Sequence, residues 1–259
     1  MRKKRVGSLD HVSLAVSTLQ ARALLYRVLS ECFSYPSEHG WETFKVFRVE
    51  SLLAAAKSLS EGWGVQWRKL MALALETDRT QMAVEYNRLF APQQSLRCPP
   101  YETVYTCVVS SAVRHSQELA DISGFYRAFG VGVSDHAADR PDHLALELEF
   151  LSLLCQKEAH ALAREQTENA QICCEAQTKF LSDHLGCWAE LFAKSLVTET
   201  RMEFYSVLAE LLDEFIGFEK RRLSVQASKV AQRPHLAASD DRDMCGGCVI
   251  AEGKPVGQE

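Results

Sequence analysis

The chain has 259 residues, 47% of them hydrophobic, enough for one large core or two modest ones without covalent staples. Its formal net charge is −5 although four basic residues crowd into positions 2 to 5, so the body beyond them is acidic. Such a body repels nucleic-acid phosphates and favours basic peptides, and no nucleic-acid partner is expected.

The start, Met1-Arg-Lys-Lys-Arg5, has the charge of an export signal, but Asp10, His11, Ser13 and Ser17 interrupt the apolar stretch that would have to follow. Residues 1–16 therefore read as a basic N-terminal segment. No run of about 18 uninterrupted apolar residues follows anywhere, so membrane insertion is not expected.

From Ser17 the periodicity is helical almost throughout. Leu25, Val28, Leu29, Cys32 and Phe33 recur at three-to-four spacing and Pro36 closes the segment. Short packed helices are predicted over Trp41–Leu59 and, beyond Gly62 and Gly64, over Gln66–Leu75. Asp78 or Thr80 can cap a helix whose apolar face is Met82, Ala83, Tyr86, Leu89 and Phe90. Pro92, Pro99 and Pro100 then forbid helix and leave a loop of roughly ten residues, long enough to be a working surface.

Ser116–Phe129 reads as the next helix, with Gly130 placed to end it. After a loop from Val131 to Arg140, Asp139 precedes Pro141 at the expected first helical position, and Leu144, Leu148, Leu151 and Cys155 make a long stripe. Gln171–Leu196 and Arg201–Leu223 are again amphipathic. Two short β-branched runs, Val104–Val109 and Val131–Val133, have no partner, so no sheet is expected. The fold class is all-α, a single helical domain over 17–223, followed by a flexible tail over 224–259.

Three clusters could carry chemistry. Tyr86, Leu89 and Phe90 share a helical face, which serves either core packing or an exposed apolar contact. Asp142 and His143 stand at a helix entrance, where a carboxylate is favoured by the helix dipole or could meet a ligand's positive group. Asp135, Asp139, Asp142, Glu147, Glu149 and Glu158 outnumber Arg140 and Lys157, giving either a solvated acidic face or a site for adjacent arginines.

Nine cysteines, odd in number and mostly inside apolar helical runs, suit a reducing compartment, and the expected location is cytoplasmic. Cys245-Gly-Gly-Cys248 in the tail leaves three readings open: incidental thiols, a redox pair, or half of a metal site shared with a partner. No phosphate loop, dinucleotide fingerprint, serine elbow or zinc-protease pair is present, so neither an enzyme nor a bound cofactor is expected.

The order of these motifs resembles the TorD/DmsD/NarJ family of chaperones that mature molybdenum-containing redox enzymes. The resemblance rests on Tyr86, Leu89 and Phe90, the Pro99-Pro100-Tyr101-Glu102 loop, Asp142-His143, Leu146-Glu-Leu-Glu-Phe150, His184-Leu185, Trp188 and Phe204-Tyr205. One departure is that Asp139-Arg-Pro-Asp-His143 displaces the proline of the family's Glu-Pro-x-Asp-His pattern by one residue. The resemblance implies a bundle of about ten helices, working as monomer or homodimer. It also implies binding of a molybdopterin-enzyme subunit or its twin-arginine leader at Tyr86, Leu89, Phe90, Pro100, Tyr101, Asp142 and His143.

Overall fold

A computed structural model describes residues 2–38, 49–91, 97–107, 112–132 and 140–232. Within them lie ten helices: α1 (Arg2–Phe33), α2 (Val49–Leu59), α3 (Trp63–Glu76), α4 (Arg79–Phe90), α5 (Glu102–Thr106), α6 (Ala112–Ala128), α7 (Leu144–Ala163), α8 (Thr167–Asp183), α9 (Leu185–Glu199) and α10 (Glu203–Arg222). The all-α expectation holds. Among the described residues the only strand-like pairing is an isolated antiparallel bridge between Tyr101 and His143.

Most sequence signals land where chemistry predicts. Asp78 caps α4 by accepting from the Thr80 and Gln81 amides at 2.8 and 3.2 Å, and these bonds hold its carboxyl below the usual range. Gly130, at φ +77°, ends the turn after α6, where the Val131 amide reaches back to the Tyr126 carbonyl. Two differences matter most for the packing. The backbone of α1 is already helical at Arg2, well before Ser17, and the segment read as one helix from Gln171 breaks at His184. Gly186 makes that break possible, because a Cβ there would sit 2.3 Å from the Leu181 carbonyl oxygen.

The longest interface joins α1 to α7, while α9 packs on α10 and on α8. Ser30 donates to the Ala145 carbonyl and Ser152 to the Ala23 carbonyl, both at 2.8 Å, so small residues and hydroxyls let α1 and α7 approach closely. Trp67, Trp188, Phe33, Phe180, Phe192 and Phe215 fill the interior. Arg22 on α1 forks onto Glu219 on α10, with Tyr26 donating to the same carboxylate at 3.0 Å. All three are fully buried, so loss of either charged partner would strand the other.

The described cysteines are all free, and burial pushes the Cys155 thiol up to about 12. They pack as small hydrophobes. Cys245 and Cys248 lie outside the described residues.

Candidate functional site at the entrance of α7

Pro99 and Pro100 keep the chain extended into Tyr101, and this short extended piece lies antiparallel to the residues that precede α7. The Leu144 amide donates to the Pro100 carbonyl at 2.9 Å, and the Glu102 amide to the Asp142 carbonyl at 3.0 Å. Pro100 and Tyr101 are thereby brought against Asp142 and His143 across about forty residues of chain.

Each member of the Asp-His doublet starts a different helix. His143, not Asp139, is the N-cap of α7, its Nδ1 accepting from the Ala145 amide at 3.1 Å. The predicted helix start at Pro141 is corrected by this geometry: Pro141 and Asp142 form a turn closed by the His143 amide on the Arg140 carbonyl at 3.0 Å. Asp142 lies ahead of α7 and caps α5 instead, accepting from the Thr103 amide at 3.2 Å and the Thr103 hydroxyl at 2.7 Å. Arg140 adds bonds of 3.0 and 2.7 Å to the same carboxylate, and its guanidinium lies 4.6 Å over the Tyr101 ring. Asp142 and His143 are both buried, whereas Tyr101 is half-buried and the Arg140 side chain 40% exposed.

Beneath this turn lies a second set that sequence reasoning only partly anticipated. Glu147, counted above as part of an acidic face, is fully buried and accepts from the Trp188 indole at 3.2 Å. Burial, then the charges of Glu102 and Asp142, hold its carboxyl well above the usual range. Its Oε1 meets no donor among the described residues, so nothing at that atom stabilises the charged form, and burial beside the Glu102 and Asp142 carboxyls favours the protonated one. Glu102 also lies 3.1 Å from His184 Nδ1 and 3.3 Å from Lys229 Nζ. The missed signal was register: Glu147 shares the stripe of Leu144, Leu148 and Leu151, a position for a buried side chain.

The expected acidic face is thus divided. Asp142 and Glu147 are interior, Glu149 stays at the surface, and Asp135 and Asp139 lie outside the described residues. A cavity of about 290 Å³ opens beside Glu149, lined by Tyr126, Val131, Leu146, Phe150 and Leu153, with Arg27 at its edge. Tyr126 connects it to the turn, donating from its hydroxyl to the Pro141 carbonyl at 2.8 Å.

Tyr86, Leu89 and Phe90 are in the core. Phe90 packs within 6.1 Å of Phe192 and 5.7 Å of Tyr205, and Tyr86 lies edge-on to Phe90 and Tyr35. Leu89 is wholly enclosed. In this conformation these three do not present the apolar surface that one reading of the sequence allowed, because the rings of α9 and α10 already occupy that face. Their link to the entrance is indirect: Phe192 touches Trp188, which stacks on Tyr105 of α5, and the Cys98 amide donates to the Leu89 carbonyl at 3.2 Å.

The only group of described residues with metal-ligand spacing is Glu102, Glu118 and His184, whose ligand atoms lie within 4.8 Å of one another. The ammonium of Lys229 sits between the two carboxylates. No described helix is long and apolar enough to cross a membrane.

Residues 56–194 match the family described as nitrate reductase delta subunit. The selenate reductase assembly chaperone protein of Thauera selenatis is 32% identical over 114 residues, 44% of this chain and 57% of that protein. The chaperone protein TorD of Vibrio cholerae is 30% identical over 146 residues, 55% of this chain and 62% of that protein. The TorD of Vibrio parahaemolyticus is 25% identical over 209 residues, 79% of this chain and 95% of its own length. The chain spans about three-fifths of the length of the first two.

Proposed function

The chain belongs to the nitrate reductase delta subunit family, the TorD/DmsD/NarJ group of redox-enzyme maturation chaperones, and from that membership we propose that it binds a segment of a molybdopterin-containing oxidoreductase. The bound segment is the client's twin-arginine leader or another stretch of its catalytic subunit. It is held in the cytoplasm, without catalysis by this chain, until cofactor insertion and assembly are complete.

The observation that carries this reading is the cavity along the first half of α7, mostly apolar inside and edged by Glu149, whose carboxylate faces the Arg27 guanidinium at 3.6 Å. A leader joins adjacent arginines to an apolar stretch, so its receptor needs a greasy recess beside negative charge. At about 290 Å³ the recess suits a few apolar side chains of a peptide, falling at the small end of the roughly 300–1,000 Å³ common for small-molecule sites. In this reading Tyr101 and Arg140 are the rim, on the turn that the Tyr126 hydroxyl joins to the cavity through the Pro141 carbonyl. Pro100, Asp142 and His143 hold the rim's backbone from beneath, and Tyr86, Leu89 and Phe90 support it through the aromatic chain to Trp188.

The test is calorimetric titration of a synthetic peptide bearing two adjacent arginines and a following leucine-rich stretch. Val131→Asp places a charge at the cavity mouth and is expected to weaken binding by roughly tenfold or more. Equal affinity of the variant and the unaltered protein would remove the cavity from the proposal.

A further inference from the structure

The segment after α10 does not leave the bundle at once. Ser224, at φ +54°, turns the chain, and the Val225 amide bonds back to the Lys220 carbonyl. The Ser228 amide then donates to the Ser182 carbonyl at 2.9 Å, Ser182 Oγ to the Gln226 carbonyl at 3.1 Å, and the Gln232 amide to the Tyr105 carbonyl at 2.9 Å. Residues 224–232, expected from sequence to be flexible tail, thus form a strap across the ends of α5 and α8.

We propose that the acidic pocket of Glu102, Glu118, Asp121 and His184 is a subsite for one basic side chain of a client peptide, and that Lys229 of the strap is its internal occupant. The inference rests on the client-binding reading above and adds what the client must bring and what it must displace. Lys229 Nζ donates to Glu102 and to Glu118. Glu102 is fully buried and needs a cation partner, and this one arrives on a segment with few apolar anchors: Val225 and Ala231 touch the core while Val230 is 83% exposed. Such a segment opens at low cost.

A second observation points into the same pocket. His184 Nε2 is buried without a hydrogen-bond partner, and the nearest carboxylate oxygen, Asp121 Oδ2, lies 3.4 Å away. The ammonium has three donors and already serves two carboxylates, whereas a guanidinium carries five in a planar fork and can also turn one toward Asp121, so an arginine is a better occupant than the lysine now present. The pocket and the apolar cavity lie on either side of α6: Phe125 packs 5.4 Å from His184, and its neighbour Tyr126 lines the cavity. One peptide crossing α6 can therefore place a basic residue in one and an apolar residue in the other.

The experiment is fluorescence anisotropy with a labelled peptide of two adjacent arginines followed by leucines, beside the same peptide with both arginines changed to glutamine. Lys229→Met removes the internal occupant and is expected to tighten binding of the arginine peptide, within the roughly 5- to 150-fold range of coupled equilibria, while the glutamine peptide changes less than about twofold. Glu118→Gln is expected to weaken the arginine peptide. Ser228→Pro, which deletes one strap hydrogen bond and keeps the lysine, is expected to give a smaller gain and carries the test if Lys229→Met does not fold by circular dichroism. Equal gains for both peptides, or none, would overturn the subsite while leaving the chaperone reading in place. Binding of neither peptide to any variant would overturn both. Stoichiometric uptake of zinc by Lys229→Met with no arginine preference would make the pocket a metal site and overturn the peptide assignment.

Discussion

The α4 cluster of Tyr86, Leu89 and Phe90 and the α7 entrance of Arg140, Asp142, His143 and Glu147 are both largely withdrawn from solvent, yet they are closed by different forces. The first is sealed by ring contacts with Phe192 and Tyr205, non-directional and already satisfied. The second is sealed by directed bonds: Asp142 onto Thr103, Arg140 onto Asp142, Trp188 onto Glu147. An apolar seal contributes mainly stability. A polar seal contributes geometry as well, because each bond fixes where a neighbouring backbone or side chain must stand.

The sharpest way to break that contrast is to weaken each region and read stability and peptide affinity separately. Phe90→Ala is expected to cost about 3–5 kcal/mol in denaturant unfolding, since it empties a ring-sized space in the core, while the folded fraction loses only a little affinity for the arginine–leucine peptide, because Phe90 reaches the entrance only through Phe192 and Trp188. Asp142→Ala is expected to cost less, about 1–3 kcal/mol, by leaving the Thr103 amide and hydroxyl without their acceptor. It should nevertheless lower peptide affinity, because Arg140 loses its anchor and with it its place over the Tyr101 ring. Were Phe90→Ala to cut the affinity of folded protein more than Asp142→Ala does, the division into core and site would be the wrong way round.

How much of this was legible in the sequence follows from which interactions are local. The Asp78 cap and the Gly130 stop involve neighbours in the chain, so residue type and spacing sufficed for both. The start of α7 was misplaced because Asp142 answers to Thr103, thirty-nine residues earlier, and not to its own helix. Glu147 was read as surface charge because composition was weighed ahead of register. Lys229 escaped notice because its partners, Glu102 and Glu118, are more than a hundred residues distant and its own segment has no periodicity. Apolar clusters announce that they are buried, but periodicity does not say against what, so the spacing of Tyr86, Leu89 and Phe90 favoured a core without excluding the groove that the family resemblance implies.

The smallest expected effect tests the polar seal most directly. Glu147→Gln keeps the shape of a protonated carboxyl, with an oxygen to accept from the Trp188 indole, so near pH 4.5 its stability should lie within about 1 kcal/mol of the unaltered protein. The two should then part as pH rises. Burial raises the folded carboxyl above its unfolded value, so folded protein holds its proton where unfolded protein has released it. The stabilisation linked to that proton is complete below the unfolded value and is lost as pH climbs through the folded one, at no more than about 1.4 kcal/mol per pH unit. Glutamine has no proton to lose, so the variant gains on the unaltered protein across neutral and mildly alkaline pH in urea titrations. Parallel stability curves would mean that Glu147 is ionised in place, and Glu102, Glu147 and Asp142 would then form a buried anionic cluster needing more cation than Arg140 and Lys229 provide.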